Sequence, residues 1–338
     1  MIILKLTHLK ELSIEIMLKN EVLYALEQKK GNVVSGGELA EKLGVSRTSI
    51  WKAIHTLKTE GNEIITEPNV GYRLLPTNDT LSEKAITDML TTEFIGHNMS
   101  ILSSVNSTNQ YLKEMDTSSV PDGYVLLADG QKNGRGRYGR TFVSPQGEGI
   151  YMSILLKPKN IQQNIRLMTV CVAVAVSKAV ENNCGIRADI KWVNDIFLNG
   201  KKLCGILTEA VLSGETGEVD TVVVGIGINT GNVPNEIKDI ATSVKQETGI
   251  CGIRNSLIAE VLNQFEIVYS DHMVKSKMQD ILSYYESRLF IKGKKVTVNN
   301  YNKKYTADVL GIDENAALIV KTPNGNVEHI TSGEIQLQ

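Results

Sequence analysis

Residues 131–140 constrain this chain more than any other segment, because they hold four positive charges and no acidic residue. The segment follows residues 125–129, which have the apolar composition of a buried strand, and another apolar run begins at Tyr151. Glycines in the segment let backbone amides approach an anion, and arginines match the geometry of phosphate oxygens. Because like charges this close repel one another, we expect the loop to be mobile until an anion binds. The pattern predicts that residues 131–140, the basic loop, bind phosphate between two strands; a basic patch for nucleic acid is the alternative.

Polar groups also cluster in three other segments. Ser107, Thr108 and Asn109 precede a short helical pattern, where they could bind a small polar ligand or serve only as a helix cap. Residues 191–209 predict a strand, a tight Asn199-Gly200 turn and a second strand. Residues 222–229 predict a strand that brings bare glycine backbone against a ligand. They lack the third glycine of the dinucleotide fingerprint, so we interpret them as a pocket wall.

The hairpin at residues 191–209 offers groups suited to a nucleotide. Asn194 and Asp195 provide oxygen ligands for Mg²⁺ and for the surroundings of a phosphate. Lys202, on the opposite strand, could reach an acyl phosphate, although a surface lysine is more often only solvated. The hairpin therefore predicts a nucleotide site only in combination with the basic loop.

The N-terminal part of the chain predicts a helix-turn-helix followed by a hairpin. A helical pattern covers about residues 15–27, Ser35 is a plausible N-cap for a helix ending at residue 43, and Ser46 caps a second helix over residues 47–58. Residues 63–74 predict two short strands around a turn, which is typical of the wing of a winged helix. The second helix has no acidic residue, so it could enter the major groove; the alternative is a basic face that is only solvated. The candidate DNA-binding residues are Ser46, Arg47, Thr48, Ser49, Lys52, His55 and Lys58.

The whole-chain properties narrow the class of protein. A chain of 338 residues is too long for one ordinary core, and 42% hydrophobic with 22% charged residues is typical of globular proteins. The net charge of −2 does not itself indicate nucleic acid, so DNA binding is predicted from local charge alone. The four cysteines lack metal-binding spacing, which predicts free thiols in a reducing cytosol. The longest near-apolar run, residues 167–176, is too short to span a membrane.

Together these motifs resemble the biotin protein ligases, in particular the bifunctional class that also represses the biotin operon. The resemblance covers nearly all of residues 17–338. The sequence Gly134-Arg135-Gly136-Arg137-x-Gly139-Arg140 is highly specific for biotin ligases, and the related lipoate ligases lack it. The resemblance implies an α/β (α+β) protein with an N-terminal winged helix-turn-helix, a central class II synthetase-like ligase domain and a C-terminal SH3-like β-barrel. Short strands at residues 291–298, 307–313 and 317–320 agree with such a barrel.

The expected domain bounds follow from these motifs. Residues 1–16 would be an amphipathic helix or an upstream N-terminal extension, and residues 17–77 the winged helix. Residues 81–285 would form the catalytic domain and residues 288–338 the C-terminal domain. A linker is expected at residues 76–79, after which Asp79 or Thr80 would cap the next helix.

The resemblance implies a role for each matching residue. Catalytic residues would be Lys202, Arg137 and Arg135. Biotin would contact Ser107, Thr108, Asn109, Gln131, Gly134, Arg135, Gly136, Arg137, Lys202, Gly205, Gly225 and Gly227. ATP or the adenylate would contact Arg137, Arg140, Phe142, Lys191, Asn194, Asp195, Lys202 and Asn229. Mg²⁺ would bind Asp195. In two places the chain departs from the usual family sequence: Val193 replaces a proline, and Phe142 stands where tryptophan is frequent, so the smaller ring is expected to stack less on adenine.

The implied activity is the formation of biotinyl-5′-AMP from biotin and ATP, then transfer of biotin to a lysine of the biotin carboxyl carrier subunit of acetyl-CoA carboxylase. The resemblance also implies a cytoplasmic homodimer, formed with bound adenylate, that represses biotin genes at a palindromic operator and has no membrane partner. Three alternatives remain open. The chain could be a lipoate ligase, a DNA-binding regulator whose ligand-sensing domain is catalytically weak, or a ligase whose winged helix no longer binds DNA.

Overall fold

The computed structural model describes residues 2–158, 165–212, 219–272, 275–300 and 303–337. The chain divides into two compact units. One comprises Met1–Met89 with Cys251–Ser256, and the other comprises Leu90–Ile250 with Leu257–Gln338. No helix within the described ranges is both long and apolar enough to cross a bilayer.

The first unit is a winged helix-turn-helix, as predicted. Its elements are α1 (Ile2–Glu27), β1 (Val33–Val34), α2 (Gly36–Leu43), α3 (Arg47–Thr59), β2 (Ile64–Glu67), β3 (Gly71–Leu74) and α4 (Glu83–Thr87). The three strands form an antiparallel sheet in the order β1-β3-β2. Ser35 and Ser46 cap α2 and α3 by accepting hydrogen bonds from the backbone N–H groups of Glu38 and Ser49, at 3.0 and 3.1 Å.

The structure differs from the sequence expectations at two helix starts. Helix α1 begins at Ile2 rather than near residue 15, so the N-terminal stretch is helical, which is one of the two possibilities that the sequence left open. Ser82, not Asp79 or Thr80, caps α4, because its Oγ accepts a hydrogen bond from the Ala85 N–H at 3.3 Å. The carboxylate of Asp79 instead accepts the backbone N–H of Arg254 at 2.8 Å, within the same unit.

The apolar residues of α3 pack into the core of this unit. Ile50, Ile54 and Leu57 are buried there with Leu26 of α1 and Leu39 of α2. This burial leaves the polar face of α3 toward solvent, as the helical spacing predicted.

A buried carboxyl group at the end of α1 makes the stability of this unit depend on pH. Burial raises the pKa of Glu27 from 4.5 to about 7, and the charge of Lys30 and a hydrogen bond from Ser82 offset only part of that rise. The unfolded chain ionises first as the pH rises, so stability is lost between pH 4.5 and 7. We expect Glu27→Gln to increase the free energy of unfolding by about 2 kcal/mol at pH 8, and by much less at pH 5. Denaturant unfolding at both pH values checks this. Glu41→Gln, at an exposed site on α2, is the control; equal effects of the two variants would contradict the prediction.

The second unit contains a seven-stranded sheet and a five-stranded sheet. The larger sheet has the order β4-β5-β6-β10-β9-β8-β7, and only its β4–β5 pair is parallel. Its strands are β4 (Met99–Leu102), β5 (Tyr124–Ala128), β6 (Gly149–Leu156), β7 (Asp189–Lys191), β8 (Asp195–Leu198), β9 (Lys201–Leu212) and β10 (Val219–Asn229). The helices are α5 (Thr108–Glu114), α6 (Ile165–Cys184), α7 (Val244–Thr248), α8 (Arg254–His272) and α9 (Lys275–Arg288); the first three residues of α8 belong to the first unit.

The predicted hairpin of the larger sheet is present. Asn199 and Gly200 join β8 to β9, both with positive φ (48° and 81°), as a two-residue turn between twisted strands requires. The near-apolar run at residues 167–176 lies in α6, where nearly all of it is buried.

The smaller sheet is antiparallel throughout and has the order β14-β13-β12-β11-β15. It consists of β11 (Lys295–Asn300), β12 (Lys303–Ile312), β13 (Leu318–Lys321), β14 (Val327–Ile330) and β15 (Glu334–Leu337). This five-stranded β domain agrees with the expected SH3-like barrel. The sequence patterns had indicated the first three strands but neither β14 nor β15.

Candidate functional site

A cavity of about 370 Å³ lies in the second unit, within the size range of small-molecule sites. Its lining comes from β6, β9 and β10, the start of α5, the basic loop, the β7–β8 region and β15. The fold therefore brings to one place side chains that are separated by more than two hundred residues in the sequence.

The cavity is lined by nearly every ligand-binding residue that the sequence predicted. These are Ser107, Thr108, Asn109, Gln131, Arg135, Gly136, Arg137, Arg140, Phe142, Lys191, Asn194, Asp195, Lys202, Gly205, Gly225, Gly227 and Asn229. Gly134 is the exception. A side chain there would collide with the carbonyl oxygen of Phe142, so Gly134 lets the loop fold back on itself.

Glycines in β10 make the cavity wall possible. A Cβ atom at Gly225 would overlap the side-chain oxygen of Asn109, and one at Gly227 would lie 2.5 Å from the ring of Phe142. The Phe142 ring also packs edge-on against Tyr151, with ring centroids 6.5 Å apart. The two glycines are therefore required because neighbouring side chains occupy the space over the strand.

Hydrogen bonds orient the polar residues at one side of the cavity. The backbone N–H of Thr108 donates to Gln131 Oε1 at 2.9 Å, and Gln131 Nε2 donates to Ser144 Oγ at 3.0 Å. Ser107 caps α5 through a hydrogen bond from the Gln110 N–H at 3.5 Å, as the simple capping interpretation expected, and it also lines the cavity. The two interpretations of residues 107–109 are thus compatible.

The β8–β9 hairpin holds opposite charges together at the other side. Lys202 Nζ lies 2.8 Å from Asp195 Oδ1, which also accepts a hydrogen bond from Asn194 Nδ2 at 3.0 Å. Asn194 Oδ1 in turn accepts from Arg137 Nη1 at 3.1 Å. Burial lowers the pKa of Lys191, and the neighbouring charge of Asp195 counteracts part of this. Positive charge is thus concentrated around a single carboxylate, an arrangement suited to a polyanionic ligand.

The five-stranded sheet closes the cavity with residues that the sequence patterns did not reveal. Arg140 Nη2 pairs with Glu334 Oε1 at 2.6 Å, and the Gly333 N–H donates to the hydroxyl of Tyr138 at 2.9 Å. Burial tends to raise the pKa of Glu334, but hydrogen bonds from Arg140 and Gln336 outweigh it and the pKa is lowered overall. Glu334 lies in no local motif, and Tyr138 is the unspecified position within the Gly134–Arg140 motif. Trp192, Ile237, Ile240 and Ala241 also line the cavity and were likewise missed.

The exposed face of α3 is a separate candidate surface in the first unit. Arg47, Thr48, Lys52 and His55 are exposed, and Ser49 is half-buried. Lys58 Nζ donates to Thr66 Oγ1 in β2 at 2.8 Å, which connects α3 to the wing. Trp51 is 57% exposed on this helix and stacks on His55, with ring centroids 5.6 Å apart. Aromatic exposure of this extent on a basic helix is the one feature of this surface that the sequence analysis did not single out.

The fold and the cavity define a class of protein: one that carries a helix-turn-helix unit and a small-molecule cavity suited to a polyanionic ligand. Comparisons with known proteins narrow this class. Residues 19–73 match an HTH domain family, residues 101–229 the biotin/lipoate A/B protein ligase family, and residues 292–338 the biotin protein ligase C-terminal domain.

Full-length relatives agree with these matches. The chain is 36% identical to the bifunctional ligase/repressor BirA of Bacillus subtilis over 95% of this chain and 98% of that protein. It is 29% identical to BirA of Escherichia coli, over 91% and 94% of the two chains. The biotin protein ligase of Aquifex aeolicus, solved with biotin and ATP, superposes with a TM-score of 0.63 at 34% identity, covering 72% of this chain and 99% of that one. The chain therefore belongs to the family of bifunctional biotin ligase/repressors.

Proposed function

We propose that this chain activates biotin with ATP to give biotinyl-5′-AMP and transfers the biotin to a lysine of a biotin carboxyl carrier protein. The observation that carries the proposal is the shared cavity, in which the cations of the basic loop meet the Lys202–Asp195 pair beside a wall of bare glycines. Family membership and the Aquifex aeolicus structure with biotin and ATP support the same substrates.

The cavity suits the chemistry of carboxylate activation. A carboxylate is a poor acyl donor because oxide would have to leave. Attack of the biotin carboxylate oxygen on the α-phosphorus of ATP forms a mixed anhydride and releases pyrophosphate. Negative charge increases at the phosphorus, where Lys202 and Arg137 provide positive charge. The deprotonated amine of the acceptor lysine then attacks the carbonyl carbon and AMP leaves, so no nucleophile from this chain is needed.

The oxygen-bearing side chains at the proposed nucleotide site also fit a Mg²⁺ ion that is held mainly by phosphate oxygens. Within the described residues, no group of three or more His, Cys, Asp or Glu side chains is arranged so that it could hold a metal ion. Asp195 offers one carboxylate, and Mg²⁺ bound to a nucleotide commonly takes one or two carboxylates with phosphate oxygens and water. We propose that Asp195 holds it, and bound Mg²⁺ would supply charge neutralisation at the phosphates.

Biotin-dependent exchange of pyrophosphate into ATP tests the first step. We expect exchange with biotin and none with lipoate or octanoate. Exchange with lipoate alone would favour a lipoate ligase. Absence of exchange with all three acids would leave a regulator with a weak ligand-sensing domain. Transfer is then tested with a purified carrier domain, whose acceptor lysine replaced by arginine is the control.

We also propose that the chain represses biotin genes as a cytoplasmic DNA-binding protein with no membrane partner. The exposed basic face of α3 and its connection to the wing support DNA binding. The four cysteines are all free, which suits a reducing compartment.

Loss of a positive charge on α3 is expected to weaken DNA binding. We expect Lys52→Ala to reduce the affinity for a random-sequence duplex about fivefold and to lower the slope of log affinity against log salt by about 1, because one phosphate contact is lost. Fluorescence anisotropy across a range of salt concentrations measures both. Lys29→Ala removes an exposed lysine outside α3 and is the control. A salt slope equal to that of the unaltered chain would contradict a phosphate contact.

Adenylate binding is proposed to promote a homodimer that reads a palindromic operator. The three arginine side chains of the basic loop that line the cavity would gain an anionic partner when the loop closes on the adenylate, and an ordered loop can stabilise an interface. Biotin plus ATP is expected to lower the dimer dissociation constant about tenfold or more. Sedimentation equilibrium measures this, with ATP alone as the control. A dissociation constant that biotin and ATP leave unchanged would refute the coupling.

A further inference from the structure

A row of hydrogen-bonded side chains connects a half-buried ion pair with the cavity. Lys113 Nζ lies 2.6 Å from Glu209 Oε1, and Glu209 Oε2 accepts a hydrogen bond from Asn109 Nδ2 at 2.9 Å. The same nitrogen donates to the carbonyl oxygen of Leu207 at 3.1 Å. A carboxylate and a carbonyl only accept hydrogen bonds, so they hold the amide nitrogen of Asn109 on their side. The amide oxygen of Asn109 is thereby directed toward Ser153.

This orientation determines where the next hydroxyl protons point. Ser153 Oγ lies 2.6 Å from Asn109 Oδ1 and 2.7 Å from Thr108 Oγ1. The amide oxygen has no proton, so the single hydroxyl proton of Ser153 goes to it. The proton between Ser153 and Thr108 must then come from Thr108, whose other neighbour, Gln131 Oε1 at 3.2 Å, is also an acceptor. Whether Thr108 donates to Ser153 or to Gln131, its hydroxyl proton points into the protein.

We propose that Glu209, held in place by Lys113, is a positioning residue that makes the Thr108 hydroxyl an acceptor for an N–H group of the bound ligand. The inference rests on the proposed function, because the ureido ring of biotin carries N–H groups on both sides of its carbonyl. Thr108 lines the cavity, whereas Glu209 and Lys113 do not. The ion pair therefore acts on the ligand only through Asn109, Ser153 and Thr108.

Reversal of the amide of Asn109 would reverse the whole row. Its nitrogen would then donate to Ser153 and Ser153 would donate to Thr108. That proton would occupy one of the two lone pairs of the Thr108 oxygen and leave Gln131 Oε1, at 3.2 Å, as the remaining acceptor for the Thr108 proton in this row. Because Ser153 would no longer accept the Thr108 proton, that proton could also turn toward the cavity, where it would oppose a ligand N–H. Binding of biotin would weaken, while the phosphate-binding side of the cavity would be unaffected.

Glu209→Gln changes the carboxylate with almost no change in shape. The glutamine has one oxygen for two donors, so its NH₂ group must face either the ammonium of Lys113 or the amide nitrogen of Asn109. We expect the biotin dissociation constant of the full chain to rise about fivefold, as for a lost hydrogen bond between neutral groups. Isothermal titration calorimetry measures the constant. The rate of adenylate formation at saturating biotin should stay within about twofold, because phosphate contacts are retained.

A double-mutant cycle distinguishes positioning from a general structural effect. Thr108→Val removes the hydroxyl, and in that background Glu209→Gln should change the biotin dissociation constant by less than about twofold, because the two residues act in series. Lys113→Met retains the carboxylate and should raise the constant about threefold, which tests the row independently if Glu209→Gln folds poorly. Glu181→Gln is the matched control. Glu181 is similarly half-buried, its Oε2 lies 2.9 Å from Arg288 Nη2, and it does not line the cavity.

Each outcome bears on the inference. An unchanged biotin dissociation constant in Glu209→Gln, or equal losses with and without the Thr108 hydroxyl, would overturn it while the proposed function stands. An unaltered chain that does not bind biotin at all would overturn the proposed function and, with it, the positioning role. Thermal unfolding of every variant is recorded, and a loss of affinity that follows unfolding temperature in all of them, Glu181→Gln included, would also count against positioning.

Discussion

Replacing Lys202 with glutamine is expected to lower the rate of biotin-dependent adenylate formation by about 10²–10³-fold. The ammonium of Lys202 lies 2.8 Å from the carboxylate of Asp195, and Lys202 lines the cavity. Its proposed role is to supply positive charge where the pentavalent phosphorus would accumulate negative charge. Glutamine retains a hydrogen-bond donor but has no charge. The substitution therefore removes electrostatic stabilisation of the transition state, and the rate of adenylate formation falls. Pyrophosphate exchange at saturating biotin and ATP measures it.

The neighbouring residue provides a matched control for Lys202. Lys201 starts the same strand, but its Nζ donates to the carbonyl oxygen of Lys238 and it does not line the cavity. Lys201→Gln should therefore retain the exchange rate. If Lys202→Gln loses less than about threefold, electrostatic stabilisation at this position is not a main source of catalysis.

Replacing Arg137 with alanine is expected to release the adenylate from the protein about 10–100-fold faster, as for the loss of hydrogen bonds to a charged group. Arg137 donates to Asn194 at 3.1 Å and to the Tyr138 hydroxyl at 3.2 Å, and the same hydroxyl accepts the N–H of Gly333. Its removal therefore eliminates a charge that is proposed to bind the phosphate, and it loosens the contact that closes the cavity. Trapping of labelled adenylate after rapid dilution measures the release rate.

Arg187→Ala provides the comparison for Arg137. Arg187 is an arginine of the same unit that pairs with Asp189 and does not line the cavity. The variant should retain the adenylate as the unaltered chain does. Equal release rates from Arg137→Ala and the unaltered chain would show that the basic loop does not hold the intermediate.

Local sequence patterns predicted the winged helix well because its determinants are local. Capping by Ser35 and Ser46 and the burial of Ile50, Ile54 and Leu57 depend on residues within a few turns of one another. The cap of α4 was placed wrongly because Asp79, Thr80 and Ser82 are all capable caps. The choice depends on Arg254, whose backbone N–H binds Asp79 from a distant part of the sequence.

The cavity was predicted well where a motif carries its own geometry. Three motifs each predict a turn or a close approach of the backbone: the basic loop, the Asn199-Gly200 hairpin and the paired glycines of β10. Pairings between separate motifs were not predictable. The contact between Arg140 and Glu334 and the row from Lys113 to Thr108 depend on how strands and helices are placed in three dimensions, which a local pattern does not encode.

The contacts that join the basic loop to β15 also constrain which sequence segments of related proteins can be recombined. Arg140 and Glu334 are 194 positions apart in the chain, yet they meet at 2.6 Å at the rim of one cavity. A substitution at either position leaves the other charge without its partner, so the two positions are coupled in the sense that their mutational effects do not add. Recombination between diverged relatives would separate them often, because any crossover in the intervening sequence does so. Chimeras should therefore keep a closed cavity when the loop and the C-terminal strand come from the same parent, and lose it when they do not.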